Sequence, residues 1–220
     1  MSRLAFDRPS FENIGVVVGL TAEARIARRC FALVETGGGT AVGAEAAVQR
    51  LIGRGATALI SFGLAGGLDP LLRPGAVIVP EAVVTQGRAV ATNAALNRLL
   101  GGGTAHTLLA ADRIAASAAA KNQLFVLTGC AAADLESGAL AHAAEAHGLP
   151  FSVLRAICDP AERDLPPAAH CALDDSGAIG LMRVIASVVG QPRQLPALLA
   201  LGRDAAAARR ALVERVGTLR

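Results

Sequence analysis

The sequence contains no tryptophan and no tyrosine, and its aromatic residues are six phenylalanines. Proteins that bind single-stranded nucleic acid depend on aromatic faces on which the bases stack. Aromatic stacking therefore cannot be a main binding device here, and this class of nucleic-acid-binding protein is excluded. The net charge of +3 does not change that conclusion, because so small an excess does not by itself indicate a nucleic-acid partner.

Lysine and cysteine are scarce as well. Lys121 is the only lysine among 21 basic residues, a bias that we attribute to genome composition rather than to function. The four cysteines form no C-x-x-C pair, and the four histidines have no zinc-finger spacing. We therefore expect reduced thiols in a packed interior, with neither disulfides nor a metal site.

Long apolar runs are also absent, since none reaches the ~18 residues of a membrane span. The opening stretch, MSRLAFDRPSFEN, carries charges throughout and lacks the apolar core of a secretory signal. We therefore expect a cytoplasmic protein. We see no linker, repeat or low-complexity segment, so residues 1–220 are interpreted as one domain of ordinary size.

What the sequence does contain is an alternation of strands and helices. The runs IGVVVG (14–19), ATALISFGLAGGL (56–68) and FSVLRAIC (151–158) are almost wholly apolar, which is typical of strands covered on both faces. Helical stretches lie between them, and two further helices, 175–190 and 193–217, are predicted to close the chain. The pattern predicts a layered α/β domain.

Three local features refine this prediction. Pro80 marks a bend, bulge or edge in a strand predicted over 75–84. The stretch 115–129 fits either a helix closed by Gly129 or a segment containing a strand. A helix over 137–148 is predicted to be capped by Ser137.

Candidate chemistry lies just after the strands, because ligands of open α/β sheets bind outside the carboxyl ends of the strands. Four of six such places carry an acid, and three are rich in glycine, which lets the backbone approach a ligand closely. Neither glycine loop matches a dinucleotide or P-loop motif. The six places are 19–23, 37–39, 63–67, Asp112, 134–136 and Asp159.

The acids allow two interpretations. Asp159 directly precedes Pro160, which would take the first position of a following helix, so Asp159 could be an ordinary N-cap. Glu136 could likewise be a first-turn acid favoured by the helix dipole. Alternatively, these acids converge on one sheet edge beside the glycine loops. Convergent carboxylates without a basic cluster suit a neutral or cationic transition state and suit phosphate-rich ligands poorly.

Three segments carry a resemblance to a known family. IGVVVGLTAEA (14–24), ISFGLAGGLDPLLRPGAVIVP (60–80) and ADLESGALAHAAEAHGLPFSVLRAICDPA (133–161) are similar to the nucleoside phosphorylase/nucleosidase superfamily, of the methylthioadenosine/S-adenosylhomocysteine nucleosidase type. Within it, GLTAEARIA, SFGLAGGLDP and ICDPAERDLPP most resemble the hopanoid-associated phosphorylase subgroup. That subgroup is linked to the release of adenine from adenosylhopane.

The resemblance implies a three-layer α/β/α sandwich with a central mixed sheet, and cleavage of a purine N-glycosidic bond through an oxocarbenium-like state. It implies that Asp159 is the general acid that protonates the purine at N7 and that Glu136 binds the ribose hydroxyls. A carboxyl at a strand tip beside apolar residues can have a pKa high enough to carry a proton near pH 7. Glu23 is implied as the acid that activates the attacking water. A gapless match sets Ala24 there, but Glu23 is the only acid in that turn.

Further site positions come from the same resemblance. Ile114 stands where an aromatic residue usually stacks on the purine, and Ser61 and Leu64 stand where superfamily phosphorylases hold phosphate with an Arg and a Ser. This difference favours water over phosphate as the nucleophile. The substrate-binding residues are predicted to be Glu136, Asp134, Leu135, Ile114, Leu64, Gly66 and Gly19. The candidate anion contacts are Arg25, Gly38 and Gly39.

No cofactor is implied, although phosphate stays open as a co-substrate. The expected partner is a small or lipid-linked adenine nucleoside, and we expect a homo-oligomer. The C-terminal helix either packs on the sheet or a subunit partner, or contacts a membrane surface. Two alternatives to adenosylhopane cleavage remain. One is a methylthioadenosine/S-adenosylhomocysteine nucleosidase, with a small closed pocket beyond the ribose 5′ carbon. The other is a non-catalytic nucleoside- or lipid-binding protein, which Leu64 would favour.

Overall fold

A computed structural model describes residues 11–166 and 192–219. The strands are β1 (Ile14–Val18), β2 (Leu33–Thr36), β3 (Ala58–Gly67), β4 (Val77–Ile78), β5 (Pro80–Thr85), β6 (Arg88–Ala91), β7 (Thr104–Ala110), β8 (Ala132–Asp134) and β9 (Phe151–Asp159). The helices are α1 (Thr21–Ala27), α2 (Ala41–Gly53), α3 (Ala94–Leu99), α4 (Ala118–Thr128), α5 (Ser137–Ala146) and α6 (Leu195–Gly217). In this described part of the chain, no helix is long and apolar enough to cross a membrane.

All the strands belong to one mixed sheet, as predicted. Its order is β2-β1-β3-β8-β7-β5-β6, and β9 pairs with β3 and β4. The strands β1, β2, β3 and β9 run parallel to one another, whereas β8 is antiparallel to β3. The parallel group brings the ends of β1, β3 and β9 to one edge of the sheet. This edge is where the predicted acids follow their strands.

Helices cover both faces of the sheet. On one face α2 and α5 pack through buried side chains such as Leu51 and Leu140. On the other face α1, α3 and α6 pack through side chains such as Ala27, Leu96 and Leu212. The α/β/α layering is therefore confirmed. The second half of α6 buries its apolar face against the sheet, which is the first of the two roles expected for this helix.

Local chemistry explains where the elements differ from their predictions. The strand predicted over 75–84 is divided into β4 and β5 at Pro80, which lacks the N–H of a regular ladder. The ambiguous stretch 115–129 is the helix α4, because Ser117 caps its start and Gly129 ends it with φ 67°. The exposed hairpin strand β6 was not predicted. The helix predicted over 175–190 lies outside the described residues.

One predicted cap is wrong, and the N-cap role that the sequence left open for Asp159 is not found. Residues 160–163 form a turn and not a helix, so Asp159 is the last residue of β9 and caps nothing. Ser137 is the first residue of α5, and the N-cap position is occupied by Glu136. The side chain of Glu136 makes no capping hydrogen bond. The hydroxyl of Ser137 instead donates to Asp134 Oδ2 at 2.5 Å. The carboxyl groups of Asp159 and Glu136 are therefore available for contacts with other parts of the fold.

We predict that two glycines of α2 respond oppositely to alanine. A Cβ at Gly43 would lie 1.8 Å from the carbonyl oxygen of Gly37, whereas a Cβ at Gly53 would meet nothing within 4 Å. Gly43→Ala should therefore lower the free energy of unfolding by roughly 1–3 kcal/mol or more. Gly53→Ala should leave it unchanged or raise it by ~0.5–1 kcal/mol. Urea unfolding measures both, and equal effects of the two changes would contradict this packing.

Candidate functional site

A cavity of about 470 Å³ opens at the carboxyl ends of β1, β3 and β9. Acidic and basic side chains line one part of it, and leucines and alanines line the rest. Most of these charged groups are at least nine-tenths buried, which is unusual for ionisable side chains and requires that they be paired. The polar part contains Glu23, Lys121, Asp134, Glu136, Arg155 and Asp159.

Arg155 lies at the centre of the polar part. It is within β9, and only 1% of its surface is exposed. Its Nη2 donates to Asp134 Oδ2 at 2.5 Å, to Ser61 Oγ at 2.6 Å and to Glu136 Oε2 at 3.4 Å. Its Nε has no hydrogen-bond partner among the described residues. A buried guanidinium thus gathers acids from β8 and from the start of α5.

Glu23 joins the same cluster from α1. Its Oε2 accepts a hydrogen bond from Leu20 N and its Oε1 from Leu64 N, both at 2.8 Å. A Cβ at Gly63 would lie 2.6 Å from both Glu23 Oε1 and Arg155 Nη1, so glycine is required where these two groups approach. Burial raises the pKa of Glu23, and the nearby Arg155 opposes that rise.

Glu136 completes the cluster from the N-cap of α5. Its Oε1 accepts from Gly39 N at 3.2 Å, and a Cβ at Gly19 would lie 3.1 Å from both carboxylate oxygens. Burial raises the pKa of Glu136 to about 7; Arg155 lowers it, while Asp134 and Glu23 raise it further. One guanidinium therefore faces three carboxyl groups in this part of the cavity.

Asp159 lies at the tip of β9, apart from that cluster. The pairing of β3 with β9 shifts there, since Ala65 faces Ile157 but Gly66 faces Asp159. Its carboxyl is paired with Lys121, whose Nζ lies 2.7 Å from Oδ2. Burial raises the pKa of Asp159, and Lys121 opposes that rise. Burial also raises the pKa of the adjacent Cys158 thiol to about 12, so this thiol stays neutral.

The structure brings most of the predicted site residues together. Lining the cavity are Asp159, Glu23, Glu136, Asp134, Leu135, Ile114, Leu64, Gly66, Gly19 and Gly39. Arg25 is instead exposed on α1, and neither Arg25 nor Gly38 lines the cavity. Asp112 is also exposed and outside it.

Two central residues of the cavity, Arg155 and Lys121, were not among the predicted site residues. Arg155 stands within the run FSVLRAIC, and an ionic group in a strand buried on both faces signals a partner of opposite charge. The sequence identifies Lys121 only as the single lysine of the chain and predicts no role for it. Its position in a helix next to the site is not visible in the sequence, because the contact with Asp159 joins residues far apart in the chain.

Two of the backbone amides at the cavity are already occupied. Gly39 N donates to Glu136 and Leu64 N donates to Glu23. Neither amide is available to a phosphate ion, and the three carboxyl groups around Arg155 favour a cationic species over an anion beside them. Within residues 11–166 and 192–219, no group of three His, Cys, Asp or Glu side chains could hold a metal ion.

Comparisons with known proteins agree on the fold. Residues 7–103 match the model of the phosphorylase superfamily. The structure is similar to futalosine hydrolase of Helicobacter pylori, with 16% identity, a TM-score of 0.64, and coverage of 94% of this chain and 98% of that one. It is also similar to a 5′-methylthioadenosine/S-adenosylhomocysteine nucleosidase of Colwellia psychrerythraea in complex with adenine, with 17% identity, a TM-score of 0.63, and coverage of 81% and 94%. A search of the curated proteins found no match.

These similarities establish a shared fold and leave the activity to the site itself. The segment that matches the family model contains Glu23 and Leu64. Asp134, Glu136, Arg155 and Asp159 lie beyond it. The similarity to futalosine hydrolase covers 94% of this chain and so extends beyond that segment.

We predict that Glu136→Gln changes how stability depends on pH. The pKa of Glu136 is about 7 in the folded protein, above its ordinary value of 4.5, so folding favours the neutral carboxyl. Its contribution to stability is present below pH 4.5 and is lost as pH rises through 7. Glutamine cannot ionise and should avoid that loss, on the order of 1–3 kcal/mol.

Urea unfolding of wild type and Glu136→Gln at pH 5 and pH 8 measures this effect. The variant should gain stability relative to wild type at the higher pH. Glu162→Gln is the control, because Glu162 is an exposed surface acid. A difference between wild type and Glu136→Gln that stays constant across this pH range would contradict the assignment.

Proposed function

We propose that this protein is an enzyme that cleaves the N-glycosidic bond of an adenine nucleoside with water as the nucleophile, and that adenosylhopane is its substrate. The observation that carries the proposal is the arrangement of four buried carboxyl groups in one cavity. Glu23, Asp134 and Glu136 share Arg155, and Asp159 lies apart with Lys121. The acids around Arg155 can bear negative charge, whereas Asp159 can donate a proton.

The chemistry follows from the two environments. Asp159 gives its proton to N7 of the purine, so the adenine leaves with the electron pair of the glycosidic bond. Burial, which raises the pKa of Asp159, favours the protonated form that this step requires. The ribosyl cation that forms is stabilised by the buried carboxyl groups around Arg155.

Glu23 and Glu136 act on the sugar side. Glu136 binds the ribose hydroxyls, with one oxygen oriented by Gly39 N. Glu23 accepts the proton of the attacking water, and its carboxyl is held in place by two backbone amides. The raised pKa of Glu23, caused by burial, brings this base closer to neutral pH. The occupied amides of Gly39 and Leu64 support water rather than phosphate as the nucleophile.

The apolar part of the cavity supports a lipid-linked substrate. Leu198, Leu201 and Ala205 of α6 line it together with Leu68 and Leu165. The first turns of α6 also expose Leu195 (47%) and Leu199 (55%), so apolar surface continues outside the cavity. Such a wall suits a large hydrocarbon group on the ribose 5′ carbon.

A second candidate is a methylthioadenosine/S-adenosylhomocysteine nucleosidase, the activity named for several structural neighbours. Arg113 and Arg209 line the same cavity, and neither forms a salt bridge within the described residues. Such guanidinium groups would suit the carboxylate of an amino-acid substituent. Comparison of kcat/KM for adenosylhopane, methylthioadenosine and S-adenosylhomocysteine distinguishes the two activities. We expect the highest value for adenosylhopane, and a preference for S-adenosylhomocysteine would favour the second candidate.

The mechanism predicts the behaviour of Asp159→Asn. Removal of the general acid should lower the rate of adenine release roughly 10²–10⁴-fold, because asparagine cannot supply the proton. Nucleoside binding should remain, as measured by equilibrium dialysis. Asp112→Asn is the matched control, since Asp112 follows a strand at the surface and does not line the cavity.

Other outcomes have clear meanings. Full activity of Asp159→Asn would rule out this mechanism. Nucleoside binding without adenine release by the wild-type protein would favour a non-catalytic binding protein.

A further inference from the structure

The helix α4 is held beside the cavity by its lysine. Lys121 is the only buried residue of this helix and is 1% exposed, whereas Val126 and Leu127 are 73% and 72% exposed. Apolar packing therefore contributes little to the position of α4. A lysine is an expensive group to bury, so its burial here requires close polar partners.

The partners of Lys121 match the three N–H groups of an ammonium. Nζ lies 2.7 Å from Asp159 Oδ2, 2.9 Å from Pro160 O and 2.8 Å from Arg163 O. An uncharged amine has only two N–H groups and would leave one of these acceptors without a donor. The geometry therefore fits a charged lysine that bridges the Asp159 side chain and the turn that follows it.

The same segment is attached to α4 by two further hydrogen bonds. Asp164 Oδ1 accepts from Ala118 N at 2.7 Å, and Leu165 N donates to Ala116 O at 2.8 Å. The start of α4 and the chain after Asp159 thus form one unit. This unit holds Lys121 in a fixed place relative to the tip of β9.

The contact with Lys121 distinguishes the two oxygens of Asp159. Oδ2 is occupied by the ammonium, whereas Oδ1 accepts no hydrogen bond from the described residues. Because Asp159 lines the cavity, Oδ1 is the oxygen left to contact a ligand there.

Other charged and titratable groups around Asp159 are already paired or neutral. Arg163 of the following turn pairs with Asp204 of α6. Glu23, across the cavity, accepts its hydrogen bonds from backbone amides. The adjacent Cys158 is a neutral thiol. Lys121 is therefore the cation in direct contact with the Asp159 carboxyl in the described structure.

We propose that Lys121 is the positioning residue of the general acid: it turns Oδ1 of Asp159 toward the purine and stabilises the carboxylate that forms when the proton leaves. The proposal rests on the proposed function of this site. In the step, the O–H bond of Asp159 breaks as the N7–H bond of the purine forms. Lys121 keeps all its protons and pairs with the new negative charge. A neutral Asp159 is regenerated by a proton from solvent.

The pH profile of kcat/KM for adenine release tests this role. Activity requires protonated Asp159, so it falls as pH rises through the pKa of that carboxyl. An adjacent ammonium lowers a carboxyl pKa, typically by ~1–3 units. The Lys121→Gln change removes the charge and keeps an N–H donor. In this variant the falling limb of the profile, where kcat/KM decreases as Asp159 ionises, should move about one unit or more to higher pH. The low-pH plateau of kcat should fall about tenfold or more.

Two further variants make this test specific. Lys121→Arg retains the charge, and its limb should stay near that of the wild type. Arg73→Met is the control, because Arg73 forms an exposed ion pair with Glu162 of the same turn. A merely structural lysine would lower the folded fraction and the plateau without moving the limb, and that result would overturn the proposal.

A titration without nucleoside separates this inference from the proposed function. The carboxyl of Asp159 is followed by carbon-13 NMR, with its resonance assigned by its loss in Asp159→Asn. Its pKa should be higher in Lys121→Gln than in the wild type. If that shift occurs but the wild type releases no adenine, the ion pair is supported and the nucleosidase function fails. If adenine is released but neither titration nor limb moves, the inference fails and the function stands.

Discussion

The buried guanidinium of Arg155 is the constraint on which the site depends. A charge inside a sheet covered on both faces cannot remain without partners, and removal of one partner from a buried ion pair typically costs about 3–5 kcal/mol. Glu23, Asp134 and Glu136 supply those partners from three separate elements, α1, β8 and the start of α5. The need to neutralise one arginine therefore fixes the relative positions of three acids.

The same constraint gives the cavity its electrostatic character. Three buried carboxyl groups share one guanidinium, and burial raises the pKa of Glu136 to about 7. A ligand that develops positive charge would relieve this unfavourable arrangement, whereas an anion would worsen it. Asp159 lies outside this cluster at the end of β9, and its carboxyl is paired separately with Lys121. Separate counterions thus allow acids in one cavity to play different chemical parts.

The acids at the carboxyl edge of the sheet could be predicted from the sequence, whereas the basic residues that pair with them could not. Asp159, Glu136 and Glu23 could be located because each follows an apolar strand, and ligand sites of α/β sheets lie at those ends. Arg155 and Lys121 were missed because their importance depends on contacts between residues distant in the chain, which periodicity does not encode. The prediction that Ser137 caps α5 was wrong for a similar reason. Serine is a common N-cap residue, but here its hydroxyl donates to Asp134 instead.

The central claim is that this cavity cleaves a glycosidic bond with water. The most direct measurement is the mass of the products formed from adenosylhopane or methylthioadenosine in oxygen-18-labelled water with inorganic phosphate present. Hydrolysis predicts free adenine and a free sugar that carries one labelled oxygen. An unlabelled sugar 1-phosphate would contradict the role assigned to water, and the absence of adenine from both reactions would contradict the claim itself.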